Sequence, residues 1–290
     1  MSLNGRCFQT TTLLPDDIRR ADHQIIESLV LHENGKSMHA AVRTTSVVTL
    51  LSLASQLSFA QQSAPKAEEI FARHVAAIGG REAILKICAI RTIGTMRIVQ
   101  MGITASVETI MAAPNLVLSK MTMPGIGDIA SGFDGKTAWE ANPMQGPRIK
   151  SERETLMMSE ESDFYGGLLY SKERYTSAET VGAVEFGGEK TWQVKMVLKS
   201  GRVVNDFFSI ETGFRVGSQS TQESANGTIE ITRVDSAYKQ FGGIMVATKR
   251  DMLTGSAQMV MTASDIVIGE VSPSVFALPA PIRTLLSTKN

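Results

Sequence analysis

The residues able to do chemistry are few and scattered. Beyond residue 60 the chain keeps one histidine, His74, and one cysteine, Cys88, too little for a metal cage or for a nucleophile relayed through a base. HExxH, CxxC, GxSxG, P-loop and GxGxxG arrangements are absent from the sequence, and with them the usual hydrolytic, redox and nucleotide-binding machinery. Asp134, Glu140 and Asp163 would work as acid and base only if the fold brought two of them together. The densest group of unusual residues is Pro124 to Pro147, PGIGDIASGFDGKTAWEANPMQGP. Its PGIGD lacks the lysine and following helix of a phosphate-binding loop, so it reads as a strand-to-strand turn. The expectation is a protein without catalytic residues, metal or cofactor.

Elements must position what remains. Ala67, Ile70, Phe71, His74, Val75 and Ile78 recur at helical spacing, with Ser63 as N-cap, Pro65 in the first turn and Gly79-Gly80 as terminator. His74 lies on that stripe, which predicts a hydrogen-bonded histidine at a helix-to-sheet contact. A second short helix is expected at Arg81 to Ile87. Cys88, within Ile84, Leu85, Ile87 and Ile90, reads as a buried thiol with no disulfide partner once an N-terminal segment is removed.

From Ile90 to Ala141 the pattern becomes strands, separated by Met101-Gly102, Pro114-Asn115, Pro124-Gly125 and Asp134-Gly135. Such short links impose antiparallel pairing. Asp134-Gly135 predicts a two-residue hairpin loop that brings Phe133 and Trp139 together. Ser151 to Tyr175 interrupts the strands as helical cover, with a Ser151–Glu154 capping box and a break near Gly166-Gly167. Strands then return, punctuated by glycine turns, to about Ile268; Asn226-Gly227-Thr228, a sequon, reads first as a type I' turn. The fold class expected is α+β, mainly antiparallel β. One strongly curved sheet of about eleven strands forms an incomplete β-barrel, with helices on its concave face.

Fifteen methionines among 290 residues suit the inner wall of such a sheet, because a flexible thioether adapts to irregular partners. Zero formal net charge and a pI near 6.9 leave no basic footprint for nucleic acid. Arg43, the apolar Val47 to Leu57 and Ser58-Phe59-Ala60 read as a secretory signal peptide over 38–60, too short to span a bilayer. Residues 1–37 read as an extension upstream of the true start, Met38. The mature chain, 61–290, is expected to be one domain, exported and without an integral membrane segment.

The run Asp134, Gly135, Lys136, Thr137, Trp139, Asn142, Pro143 resembles the D-G-K-T-x-W-x-x-N-P signature of the bacterial outer-membrane lipoprotein carriers, LolA-like and related lipoprotein-sorting proteins. Ser272 to Pro281 is similar to that family's closing segment. The resemblance implies a periplasmic carrier in outer-membrane biogenesis: an incomplete barrel, a helical lid, and an apolar cavity for the acyl chains of a lipoprotein or lipid. It also implies an envelope transport partner, and leaves Arg91, Arg97 and Arg148 as candidates for the arginine that latches the lid. The cavity would be lined by Met96, Met111, Met121, Met123, Ile126, Phe133, Trp139, Leu156, Met157, Phe164, Leu168 and Phe207. The alternatives are a lipocalin-like binder of a small apolar ligand and, further off, a cell-envelope hydrolase.

Overall fold

The computed structural model describes residues 64–224 and 227–288. The expected signal peptide, residues 1–37, the Ser63 cap and the Asn226 turn lie outside them. Closely spaced turns leave successive strands only antiparallel partners, and the result is one sheet of thirteen strands. The first six are β1 (Ala89–Ile98), β2 (Ile103–Ala112), β3 (Leu116–Met123), β4 (Gly127–Phe133), β5 (Ala138–Asn142) and β6 (Gly146–Ile149). The rest are β7 (Tyr175–Phe186), β8 (Glu189–Leu198), β9 (Val203–Ser209), β10 (Arg215–Ser224), β11 (Gly227–Phe241), β12 (Ile244–Thr254) and β13 (Ala257–Gly269). The spatial order is β6-β5-β4-β3-β2-β1-β13-β12-β11-β10-β9-β8-β7. The chain therefore starts mid-sheet, meanders to one edge, crosses to the other edge and returns until β13 pairs with β1.

The two strands beyond the expected eleven are the edges, β6 and β7. Each carries the weak pattern that edges tolerate. β6 is four residues with Pro147 inside it, and β7 buries only one of its twelve residues, with register shifts after Tyr175 and at Gly182.

Among the described residues there are five α-helices: α1 (Ala67–Ala77), α2 (Arg81–Leu85), α3 (Glu152–Glu161), α4 (Phe164–Leu169) and α5 (Ala280–Ser287). The cap of α1 is Lys66, without a side-chain bond. Gly79 ends α1 with φ 121° and lies so close to the β11–β12 turn that a Cβ would come within 2.5 Å of the Gly243 carbonyl; only glycine serves both demands. The Ser151–Glu154 capping box forms as expected. The insertion breaks at Ser162-Asp163 instead of at Gly166-Gly167, because Asp163 caps α4 by accepting the Gly166 N–H. Cys88 is disulfide-bonded, which corrects the reading of it as a thiol without a disulfide partner.

The sheet is strongly curved yet not closed. The α3 N-terminus is bonded to Arg148 on β6 and its C-terminus to Arg233 on β11. Those strands stand eight positions apart, about 38 Å on a flat sheet. A ten-residue helix spans only about 15 Å, so the sheet must curl toward α3 even after two arginine side chains are added. The concave face is thus the one under α3. On it, α1 lays Ile70 and Phe71 against Val194, Met196, Leu198 and Phe208. Next to that core, Ile78, Ile84, Ile87 and Phe164 pack on Ile244, with Ile90, Met111 and Ile268 at their margin. A third core lies on the convex face, where Phe276 and Ile282 of the C-terminal segment cover Ala89, Ile110, Leu118 and Trp139.

Candidate functional site

Paired residues of an antiparallel ladder share a face, so register reveals what lines the concave side below the helical cores. Two neighbouring rows stand out. One runs Arg250–Met261–Met96–Ala105 across β12, β13, β1 and β2. The next runs Arg233–Met252–Met259–Ile98–Ile103, starting on β11. Beyond them Val107, Met121 and Ile129 continue the apolar surface onto β3 and β4. Met96, Met121, Met252, Met259 and Met261 are half-buried and stand outside the three packed cores. They form a wall of flexible thioethers, each partly open to solvent.

Helix α3 is fixed at both ends by ion pairs. Arg148 donates to Glu140 at 2.9 Å and to both oxygens of Glu154 at 2.9 and 2.7 Å, while Lys150 bonds Glu140. The Arg148 guanidinium and the Ser151 cap hold Glu154 down to about 2, and the same pairs push Arg148 up. At the other end Arg202 donates to Glu160 at 3.1 Å, and Glu161 lies 3.5 Å from both Arg202 and Arg233. Leu156 is exposed, and Met157 and Met158 are half-buried. Of the three arginines nominated for latching, Arg148 ion-pairs with Glu154 of α3, whereas Arg91 pairs with Glu108.

A polar cluster anchors the insertion on the far side. Tyr170, the α4 C-cap, stacks on Phe71 at 4.5 Å and donates its hydroxyl to Asp206 at 2.7 Å. Burial and the Asp206 carboxylate push that hydroxyl well above its ordinary value. Asp235 accepts from Arg215 at 2.7 Å and from Arg250 at 2.6 Å. His74 is buried beside them, its Nδ1 3.1 Å from the Gly213 carbonyl, and so is the structural histidine expected. Burial, helped by Arg215 and opposed by Gly213 and Asp235, lowers it from 6.5 to about 4. A base harder to protonate when folded stabilises the fold above pH 6.5 and loses that contribution as pH falls toward 4. Urea titrations should therefore lose about 3 kcal/mol through that window, and His74→Gln should flatten the slope.

The nominated residues divide by face. Met96, Met111, Met121, Met123 and Phe133 share the concave side; of these Met111 packs with the helices. Ile126 sits half-buried in the β3–β4 turn, and Phe164 and Leu168 pack into the α4 core. Two nominated residues lie on the convex face. Trp139 opposes Gly132 while Phe133 opposes Ala138, so Phe133 and Trp139 face opposite sides. The loop between them is Asp134–Thr137, closed by Asp134 Oδ1 accepting the Lys136 and Thr137 N–H groups, which replaces the expected two-residue turn. Phe207 is convex as well, stacked on Phe186 at 3.8 Å, because its neighbour Phe208 occupies the α1 side. Asp134, Glu140 and Asp163 are each spent on a turn, an ion pair or a cap.

Sequence reasoning missed Arg202, Arg233, Arg250 and Met252. Residues equidistant from a hairpin turn pair with each other, and counting outward from Gly255-Ser256 would have matched Met252 with Met259 and Arg250 with Met261. Two solvent-open pockets lie elsewhere. One of about 210 Å³ beside α1 is lined by Ile70, Arg73, Trp192 and Phe208. The other, about 330 Å³, lies between Glu160, Asp163, Glu173, Arg174 and Lys199. The first is small and the second too charged for an acyl chain, so the methionine wall is the stronger site on chemistry.

No family model and no curated protein sequence matches the chain. Solved structures do match. A LolA superfamily protein from Nitrosomonas europaea aligns at TM-score 0.50 and 12% identity, over 74% of this chain and 99% of its own. A DUF1329 family protein from Desulfovibrio piger aligns at TM-score 0.50 and 10% identity, over 72% and 96%. The fold is the LolA fold. In this LolA-type sheet the DGKT hairpin supplies a structural turn, and the open concave surface lies elsewhere, on β12, β13 and β1 to β4. Among the described residues no helix is long and apolar enough to cross a membrane.

Proposed function

We propose that this chain is a periplasmic, non-enzymatic carrier that holds the acyl chains of a lipid or lipoprotein against the methionine wall, under α3. The observation that carries this reading is the pair of adjacent methionine rows, half-exposed on the concave face and outside every packed core. Each buried methylene supplies about 0.8 kcal/mol, and thioethers accommodate chains of differing shape. Met96, Met121, Met123 and Ile126 form the wall in this reading, with Leu156 and Met157 closing over it from α3. Release follows when the ion pairs at the α3 ends part, and an envelope transport partner receives the cargo. Mass spectrometry of ligands co-purifying with the protein from a periplasmic extract tests this. Recovered acyl lipid or lipoprotein is the expected result; no acyl species, together with no uptake of added lipid, overturns it.

A further inference from the structure

Both methionine rows begin at an arginine. Arg250 stands at the head of Met261–Met96–Ala105, and Arg233 at the head of Met252–Met259–Ile98. The two arginines occupy neighbouring strands in diagonal positions, since Arg233 pairs with Met252 and Arg250 with Asp235; such diagonal neighbours are about 7–8 Å apart, within reach of one tetrahedral oxyanion. Neither is fully committed. Arg250 and Arg215 share the single carboxylate of Asp235, and the bond Arg250 makes uses Nε, leaving its Nη groups. Arg233 has a 3.5 Å pair with Glu161 of α3, which Arg202 shares. Side-chain exposure is 41% for Arg250 and 28% for Arg233, so solvent reaches both.

We propose that the wall takes a lipid with an anionic phosphate head, a phospholipid, its phosphate held by Arg233 and Arg250 and its acyl chain laid along the methionine rows. This rests on the acyl-carrier reading and adds the head. Guanidinium groups pair with phosphate bidentately. The rows run three to four strand spacings from the arginines, about 14–19 Å, an apolar track for one extended chain. A phosphate arriving at Arg233 competes with Glu161, so binding the head loosens the C-terminal tie of α3.

The test is calorimetric titration with dodecyl phosphate and dodecyl maltoside, paired with NMR of methionine methyl groups. Dodecyl phosphate should bind about tenfold more tightly, with the methyls of Met96, Met259 and Met261 shifting for both amphiphiles. Arg233→Gln should remove the preference for dodecyl phosphate over dodecyl maltoside. In the unaltered protein, raised salt should shrink the preference as charges are screened; this holds the test open if the variant fails to fold. Equal affinity for the two amphiphiles overturns the head assignment while the acyl reading stands. Methionine methyls unmoved by either overturn both. Inorganic phosphate alone should leave those methyls in place, and a shift equal to that of dodecyl phosphate would overturn the chain's role in the site.

Discussion

Trp139→Ala is expected to cost about 3–5 kcal/mol of stability and to leave affinity for acyl amphiphiles unchanged. Trp139 is 3% exposed in the convex core, with Ile110, Leu118, Phe276 and Ile282 around it. Its ring lies on Gly132, where an added Cβ would come within 2.9 Å of the indole Nε1. Truncation leaves a cavity between β5 and the C-terminal segment that neither rigid neighbour can fill, and the loss adds unmet dispersion to lost burial. Urea midpoints of the variant and the unaltered protein measure the first half; dodecyl amphiphile titration measures the second. Full stability with weakened binding would instead place the hairpin in the site.

Asp235→Ala should be as severe, about 3–5 kcal/mol. The Asp235 side chain is 1% exposed and holds two guanidinium groups. Burial disfavours its ionisation, but Arg215 and Arg250 outweigh that and hold it at about 2, below its ordinary 3.8. Its removal strands Arg215 among Tyr170, Asp206 and Tyr238 without the carboxylate that neutralised it. The sign of the pH dependence is opposite in origin to that of His74 yet equal in direction. An acid easier to ionise when folded stabilises above pH 3.8 and loses that contribution as pH falls toward 2. Acid unfolding of the variant should lack the contribution of this carboxylate, and equal acid midpoints with equal urea midpoints would show that Asp235 contributes nothing.

The strands of the sheet interior were legible because alternation and turn residues agree there: β2, β3 and β8 to β13 follow from glycine and proline punctuation alone. The edges were not, because β6 is only four residues long and β7 buries just one of its twelve residues. Capping chemistry was legible in the Ser151–Glu154 box, whose two partners are three positions apart. Face was harder. Phe207 and Phe208 are equally apolar, and only the position of α1 decides which one enters the helix-covered core. The methionine rows lay between. Each hairpin half was readable, but the β1–β13 junction that joins Met96 to Met261 depends on a pairing that no local pattern announces. The arginines heading the rows were invisible for the same reason.

That junction also sets the order of assembly. Eleven of the twelve strand pairs link strands consecutive in sequence, whereas β1 and β13 meet across separations such as the 171 positions from Ile93 to Ser264. Loop closure over such a length is slow and brings no reward until the contact is made. The two meanders can form as separate ribbons before the central seam zips them together. Both methionine rows cross that seam, so the apolar wall comes into being only at the last step. A chain still folding would therefore expose no finished apolar wall until its final strand had docked.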